Sequence, residues 1–124
     1  MKSRSLNEQL EIGNLSEVIN IDFDTETLVV TISVDNYRFD IAFYSTLGFR
    51  VLDEGDLLEF WPHCSTTNGW LFEIESGGWF DQESQRKGFI SMENGEVQEF
   101  FIAGENYCVN VLAFEKPDVT ESIR

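Results

Sequence analysis

Apolar and polar side chains alternate with a period of two over much of this chain, the pattern of antiparallel strands with one buried and one wetted face. Ile19, Ile21 and Phe23 alternate with Asn20, Asp22 and Asp24. After a turn around Asp24-Thr25-Glu26, Leu28, Val30, Ile32 and Val34 alternate with Val29, Thr31 and Ser33. Asp35-Asn36 then leads into Tyr37, Phe39, Ile41 and Phe43, interleaved with Arg38, Asp40, Ala42 and Tyr44. This spacing predicts a three-stranded meander. Towards the end, residues 97–103 and 107–114 predict two more strands, with Gly104-Glu105-Asn106 as the hairpin turn between them.

The middle is less regular. Ser45-Thr46-Leu47-Gly48 breaks the alternation, and residues 49–52 fit a short fourth strand. Residues 53–61 predict a short helix, because Leu57, Leu58 and Trp61 fall at i, i+1 and i+4. Asp53 suits an N-cap, acids occupy the first turn where the dipole favours them, and Pro62 ends the run. A strand over 57–61 is the alternative. After a polar loop at 63–68, Trp70, Phe72 and Ile74 alternate with Leu71, Glu73 and Glu75, predicting a strand over 70–75. Gly77-Gly78 ends it; the hydrophilic 81–87 has room for one helical turn, and 89–92 for a short strand before Glu93-Asn94-Gly95. Residues 1–16 read as a loose arm or weak helix, and 117–124 as a polar tail.

Together these predict a mainly β (α+β) fold. Its antiparallel sheet forms a sandwich or partly open barrel, with one short helix near 53–61. The apolar faces Leu28/Val30/Ile32, Phe39/Ile41/Phe43 and Phe101/Val109/Val111 are expected to share one core. At 124 residues the chain is near the commonest domain size, so a single domain over 1–124 is expected.

Charge adds a functional constraint. There are 23 acidic against 8 basic side chains, for a net charge of -15 and a pI near 4.1. That exceeds the roughly 2 to 8 charges that keep a small domain soluble. Disorder does not explain it, since 42% apolar and 14% aromatic residues suffice for a core. Between positions 51 and 85 lie eight acids, all three tryptophans and no lysine or arginine. Nucleic acid and anionic membranes would be repelled by such a stretch, whereas a basic protein would be steered to it. The candidate partner-binding residues are Asp53, Glu54, Asp56, Glu59, Trp79, Asp81 and Glu83. High like charge argues for a monomer in the free state. No apolar run has the length of a signal peptide or a membrane span, so a cytoplasmic protein is expected, with Cys64 and Cys108 reduced.

Catalytic signatures are weak. His63, Cys64 and Cys108 match no zinc spacing, so no metal and no cofactor are expected. A Cys64–His63 nucleophile pair is disfavoured because adjacent residues in an extended loop point apart; Cys64 is expected to be the more exposed thiol and Cys108 a core one. Paired carboxylates are too abundant to single out a glycosidase-type pair. Asp22-Phe23-Asp24-Thr25-Glu26 lacks the glycine and distal glutamate of a calcium loop. No serine sits in a nucleophile elbow, and no glycine-rich phosphate loop precedes a helix.

Two stretches carry a resemblance. One is Gly69-Trp70-Leu71-Phe72-Glu73-Ile74-Glu75-Ser76-Gly77-Gly78-Trp79-Phe80 with Arg86-Lys87-Gly88-Phe89-Ile90-Ser91; the other runs from Glu99-Phe100-Phe101-Ile102 to Val111-Leu112-Ala113. They are similar to small bacterial proteins that, as a class, resemble the cytosolic immunity proteins encoded beside polymorphic toxins, including those of contact-dependent growth inhibition. That class shares no functional motif, so the resemblance implies no residue roles. It implies a non-catalytic inhibitor that binds a basic toxin domain, such as a nuclease. A small-ligand-binding or adaptor domain is the alternative, favoured by a deep apolar pocket lined by Trp70 and Trp79. A carboxylate- or Cys64-dependent enzyme is the second alternative.

Overall fold

A computed structural model describes residues 1–6, 16–35, 37–64, 69–89 and 96–123. The fold is mainly β and antiparallel, in two sheets. The strands are β1 (Lys2–Ser5), β2 (Ser16–Phe23), β3 (Leu28–Val34), β4 (Tyr37–Phe43), β5 (Thr46–Asp53), β6 (Leu71–Ser76), β7 (Gln98–Ile102), β8 (Tyr107–Ala113) and β9 (Asp118–Ile123). One sheet has the order β1-β6-β7-β8-β5 and the other β2-β3-β4-β9. A short helix, α1 (Trp79–Glu83), and a 3-10 turn (Glu54–Asp56) complete the described elements.

The meander forms as its alternation predicts. Leu28 pairs with Phe43, Val30 with Ile41 and Ile32 with Phe39, so each apolar position meets another on one buried face. The β2–β3 turn is set by Asp24, whose Oδ1 accepts from the N–H groups of Glu26 (2.9 Å) and Thr27 (2.7 Å) while Thr25 takes a left-handed φ of 84°. The segment screened as a calcium loop is thus a carboxylate-capped turn. Those bonds hold the Asp24 carboxyl below its ordinary pKa.

The two sheets pack face to face. Leu28, Val30, Ile32, Phe39, Ile41 and Phe43 from one meet Trp70, Leu71, Phe100, Ile102, Val109 and Val111 from the other. Phe101 departs from the expected grouping, because neighbours along a strand face opposite ways. It points to the outer face of the five-stranded sheet, in a second cluster with Leu57, Phe60, Cys64, Phe72, Ile74, Ala103 and Cys108. Trp70 departs in the other direction. It lies before β6, after Gly69 at φ 134°, and turns inward to pack on Phe39 at 4.9 Å.

Several boundaries differ from the sequence reading. The expected arm contains β1, which pairs with β6 from Lys2↔Ser76 to Ser5↔Phe72, and Leu6 N–H continues the contact to the Leu71 carbonyl. The expected polar tail contains β9, paired with β4. Both are polar edge strands held by backbone pairing, which alternation of apolar residues does not report. The fourth strand is longer than expected, Thr46–Asp53. One short helix is present, but at Trp79–Glu83 and not at 53–61. There, Asp53 does cap a turn, accepting from Gly55 N–H at 2.9 Å, but the turn is a single 3-10 one. The chain then continues in hydrogen-bonded turns that bury Leu57, Phe60 and Cys64, leaving Leu58 72% exposed. The expected turn at Glu93-Asn94-Gly95, most of the strand at 89–92 and positions 7–15 and 65–68 lie outside the described residues.

Candidate functional site

The outer face of the five-stranded sheet has two halves. Over β6, the end of β7 and the start of β8, the 54–64 segment seals an apolar patch, with Phe60 stacked on Phe101 at 4.6 Å and Trp61 edge-on at 6.3 Å. Over the middle of β5, β8 and β7 the same face carries Arg50, Asn110 and Glu99. Arg50 pairs with Asn110 across β5–β8, and its Nε donates to Asn110 Oδ1 at 3.0 Å. Asn110 Nδ2 lies 3.5 Å from Glu99 Oε2.

Glu99 is only 3% exposed, and it explains the position of α1. Its two oxygens accept from the backbone N–H groups of Trp79 (2.9 Å) and Phe80 (2.7 Å), which begin the helix and have no partner within it. Gly78 makes this approach possible: a Cβ there would lie 2.6 Å from Glu99 Oε2 and 2.7 Å from Ile74. Burial pushes the Glu99 carboxyl above its ordinary pKa; the backbone hydrogen bonds, Asn110 and the charge of Arg50 oppose that shift.

The guanidinium of Arg50 sits 5.1 Å from the centre of the Trp79 ring. Trp79 Nε1 donates to Glu83 Oε2 at 3.1 Å, and Arg86 Nε donates to Glu83 Oε1 at 2.9 Å. These contacts hold the Glu83 carboxyl below its ordinary pKa. Burial lowers the pKa of Arg50, while Glu99, Glu59 and Glu83 raise it. Glu83 is thus tied to Arg50 through the Trp79 ring, and Glu59 of the 54–64 cover adds its charge at the same guanidinium.

The predicted residues thus share one layer but not one role. Glu54, Asp56 and Glu59 are exposed. Asp53 is occupied by Gly55, and Asp81 Oδ2 accepts from Gly77 N–H at 2.6 Å. Trp79 is half-buried against Arg50 rather than projecting outward. Sequence reasoning missed Arg50, Glu99 and Asn110. Glu99 and Asn110, polar residues within the largely apolar strands β7 and β8, and a basic residue opposite Asn110, were the available signal.

The thiols differ from expectation. Cys64 and Cys108 are both free, but Cys64 is as fully buried as Cys108, because it closes the cover over Phe101. Burial pushes both thiols up to about 11. His63 is exposed, and its carbonyl accepts from Ser3 Oγ at 3.0 Å. Among the described residues no group of three or more His, Cys, Asp or Glu side chains is placed to hold a metal ion. No described helix is long and apolar enough to cross a membrane. Trp70 and Trp79 lie on opposite faces of the sheet, so they line no common pocket. A cavity of about 340 Å³ instead opens beside α1, lined by Glu73, Glu75, Ser76, Phe80, Asp81 and Glu99 among others. No protein-family model matches the chain, and no curated protein or solved structure matches it.

Proposed function

We propose that this protein is a non-catalytic inhibitor that binds a basic protein, in the manner of an immunity protein neutralising a basic toxin domain. The observation that carries the reading is the convergence of the two acidic segments. Glu83 is held by Trp79, the ring that Arg50 faces, and Glu59, 24 positions away in sequence, adds its charge at the same guanidinium, so acids of both segments contribute to one negative field on the outer face of the five-stranded sheet. Summed in this way, they accelerate encounter with a cationic surface and disfavour anionic ones. Arg50 and Trp79 act beneath that field, holding Glu83 and α1 in place.

The test is association with a basic partner domain recovered by pull-down with the purified chain at low salt. Replacing Asp56, Glu59 and Glu83 together with lysine is expected to slow association at least about tenfold at low salt, and less at high salt, where the screening length shortens. The same change at the exposed Glu26, Asp118 and Glu121 controls for net charge. Equal slowing by both triples would mean bulk charge alone, and no slowing by either would overturn the reading. Small-ligand binding is a second reading, favoured by the acidic cavity beside α1, whose lining suits a cationic amine. A Glu75→Lys variant that leaves protein association unchanged but abolishes amine binding would favour it.

A further inference from the structure

The two sheets do not close on each other along β2 and β5, which are edge strands of different sheets. Between them runs an apolar groove of about 300 Å³, lined by Val18, Ile19, Asn20, Ile21, Val51 and Tyr107. Its apolar side chains are unusually open to water: Ile19 is 39% exposed, Val51 38% and Tyr107 50%.

The two edges are not equivalent. The β2 edge is blocked. It has an irregularity between Val18 and Asn20, and the Asn106 side chain occupies the Val18 backbone, accepting from its N–H (3.1 Å) and donating to its carbonyl (2.9 Å). Such devices protect an edge from pairing. The β5 edge is closed at its start, where Thr46 N–H donates to the Glu26 carbonyl (3.4 Å) and Phe49 meets Phe23 at 5.1 Å. From Arg50 to Asp53 it pairs regularly with β8 on one side, and among the described residues no strand lies on the other. An unblocked edge beside an apolar groove is a template for an added strand.

Charge selects the occupant. The exposed Glu17, Asp22, Asp53, Glu54 and Glu105 lie on the segments that flank the groove, and β2, residues 51–59 and the 103–107 turn carry no lysine or arginine; Arg50, the basic residue at the start of the open edge, is turned to the outer face against Trp79. A second copy of this chain, at net charge -15, would be repelled. We propose that β5 accepts, as an added strand, an extended segment of the partner protein in which apolar and basic residues alternate. The apolar side chains would fill the groove against Ile19, Val51 and Tyr107, and the alternate, basic ones would project on the opposite, outer face of the sheet, where Glu59 and Glu83 add their charge at Arg50. The proposal rests on the reading of a basic partner and names the structural element through which that partner is held. β5 leads along the chain directly into the acids at 53–59, so both surfaces would engage one partner.

The probe is a synthetic seven-residue peptide alternating lysine with valine or isoleucine, titrated into the full chain and followed by amide chemical shifts. Saturable shifts at residues 50–53 and 18–21 are expected. Replacing lysine by glutamate should weaken binding at least about tenfold, and N-methylation of the peptide edge facing β5 should do the same. Ile19→Ser lies outside the buried core and should also weaken binding; Tyr107→Ser checks the opposite wall if the first variant is poorly folded. Shifts confined to α1 and the 54–64 cover, undiminished binding of the N-methylated peptide, or sedimentation as a dimer through this face would each overturn the proposal. Failure here is separable from failure of the functional reading. If the peptide leaves the groove untouched while the Asp56/Glu59/Glu83 triple still slows association, only the groove assignment falls. If the glutamate peptide binds as tightly and that triple has no effect, the basic partner itself is wrong.

Discussion

On its inner face the five-stranded sheet meets another sheet; on its outer face it meets an irregular segment and a five-residue helix. The inner contact is built from regular alternation on both sides, with Phe43 against Phe100 at 5.5 Å and Phe39 against Trp70 at 4.9 Å. The outer cover has no ladder of its own. Its turns are tied down by side chains, namely Phe60 on Phe101, Trp61 Nε1 donating to the Glu54 carbonyl at 2.8 Å, and Glu99 beneath α1. A layer fixed by a few side chains can open without unpairing a strand, whereas the inner core opens only with the whole fold. The exposed acids Glu54, Asp56 and Glu59 therefore lie on a layer that can open more readily than the inner core.

The largest expected effects break this comparison directly. Phe100→Ala deletes a ring from the inner core and should cost about 3–5 kcal/mol of global stability, measured by denaturant unfolding. Phe60→Ala removes an equally buried ring from the cover. Its principal consequence should be local: both thiols, sluggish towards a thiol reagent in the native protein, should react faster by an order of magnitude or more, as the cover opens. If Phe60→Ala leaves the thiols protected, or if Phe100→Ala exposes them at unchanged global stability, the two faces are not distinct in the way described.

This difference also decides what could be read from the sequence. The meander was legible because β3 and β4 have one wet face, so period two survives. Residues 98–113 were legible as a hairpin because the turn Gly104-Glu105-Asn106 is strong, but not which face each side chain takes. Burial of both faces there makes β7 and β8 nearly continuous apolar runs, and Phe101 was assigned to the wrong side for that reason. The strands β1 and β9 were missed because their stabilisation lies in backbone pairing to distant partners. The spacing of Leu57, Leu58 and Trp61 predicts a helix over 53–61. The residues that bury are instead Leu57, Phe60 and Cys64, a choice made by the shape of the sheet beneath them. The acidic segments were legible as composition. Their meeting around Arg50 was not, since it depends on Glu99 anchoring α1 across 20 residues of sequence.

Glu99 is the next point of leverage. Glu99→Leu would leave the Trp79 and Phe80 N–H groups without their acceptor, at a cost of about 1–3 kcal/mol, less if α1 detaches and water replaces it. Glu99→Gln keeps one acceptor but removes the titration. Because burial raises the folded-state pKa of Glu99, the native protein holds this proton more tightly than the unfolded chain does. Its contribution is therefore fullest below the ordinary carboxylate range and is lost as pH rises through the raised value. The stability difference between the parent and Glu99→Gln should fall with increasing pH across that window. A difference that instead falls on acidification would mean that the hydrogen bonds outweigh burial.

The smallest effect concerns Arg50, which ties the two halves of the outer face together. Its stacking on Trp79 is half-exposed, so the coupling should be modest, about 0.5–1 kcal/mol in a double-mutant cycle of Arg50→Met with Trp79→Leu. A sharper readout lies in Glu99. The charge of Arg50 lowers the Glu99 pKa, so Arg50→Met should move it further upward and carry the falling limb of the pH–stability curve to higher pH. Trp79 emission should shift to the red in the same variant as its ring loses cover, while Trp70, enclosed between the sheets, stays unchanged. If the pH limb stays in place while the emission shifts, Arg50 holds Trp79 by packing alone, and the acids at Glu59 and Glu83 are brought together by shape rather than by a shared cation.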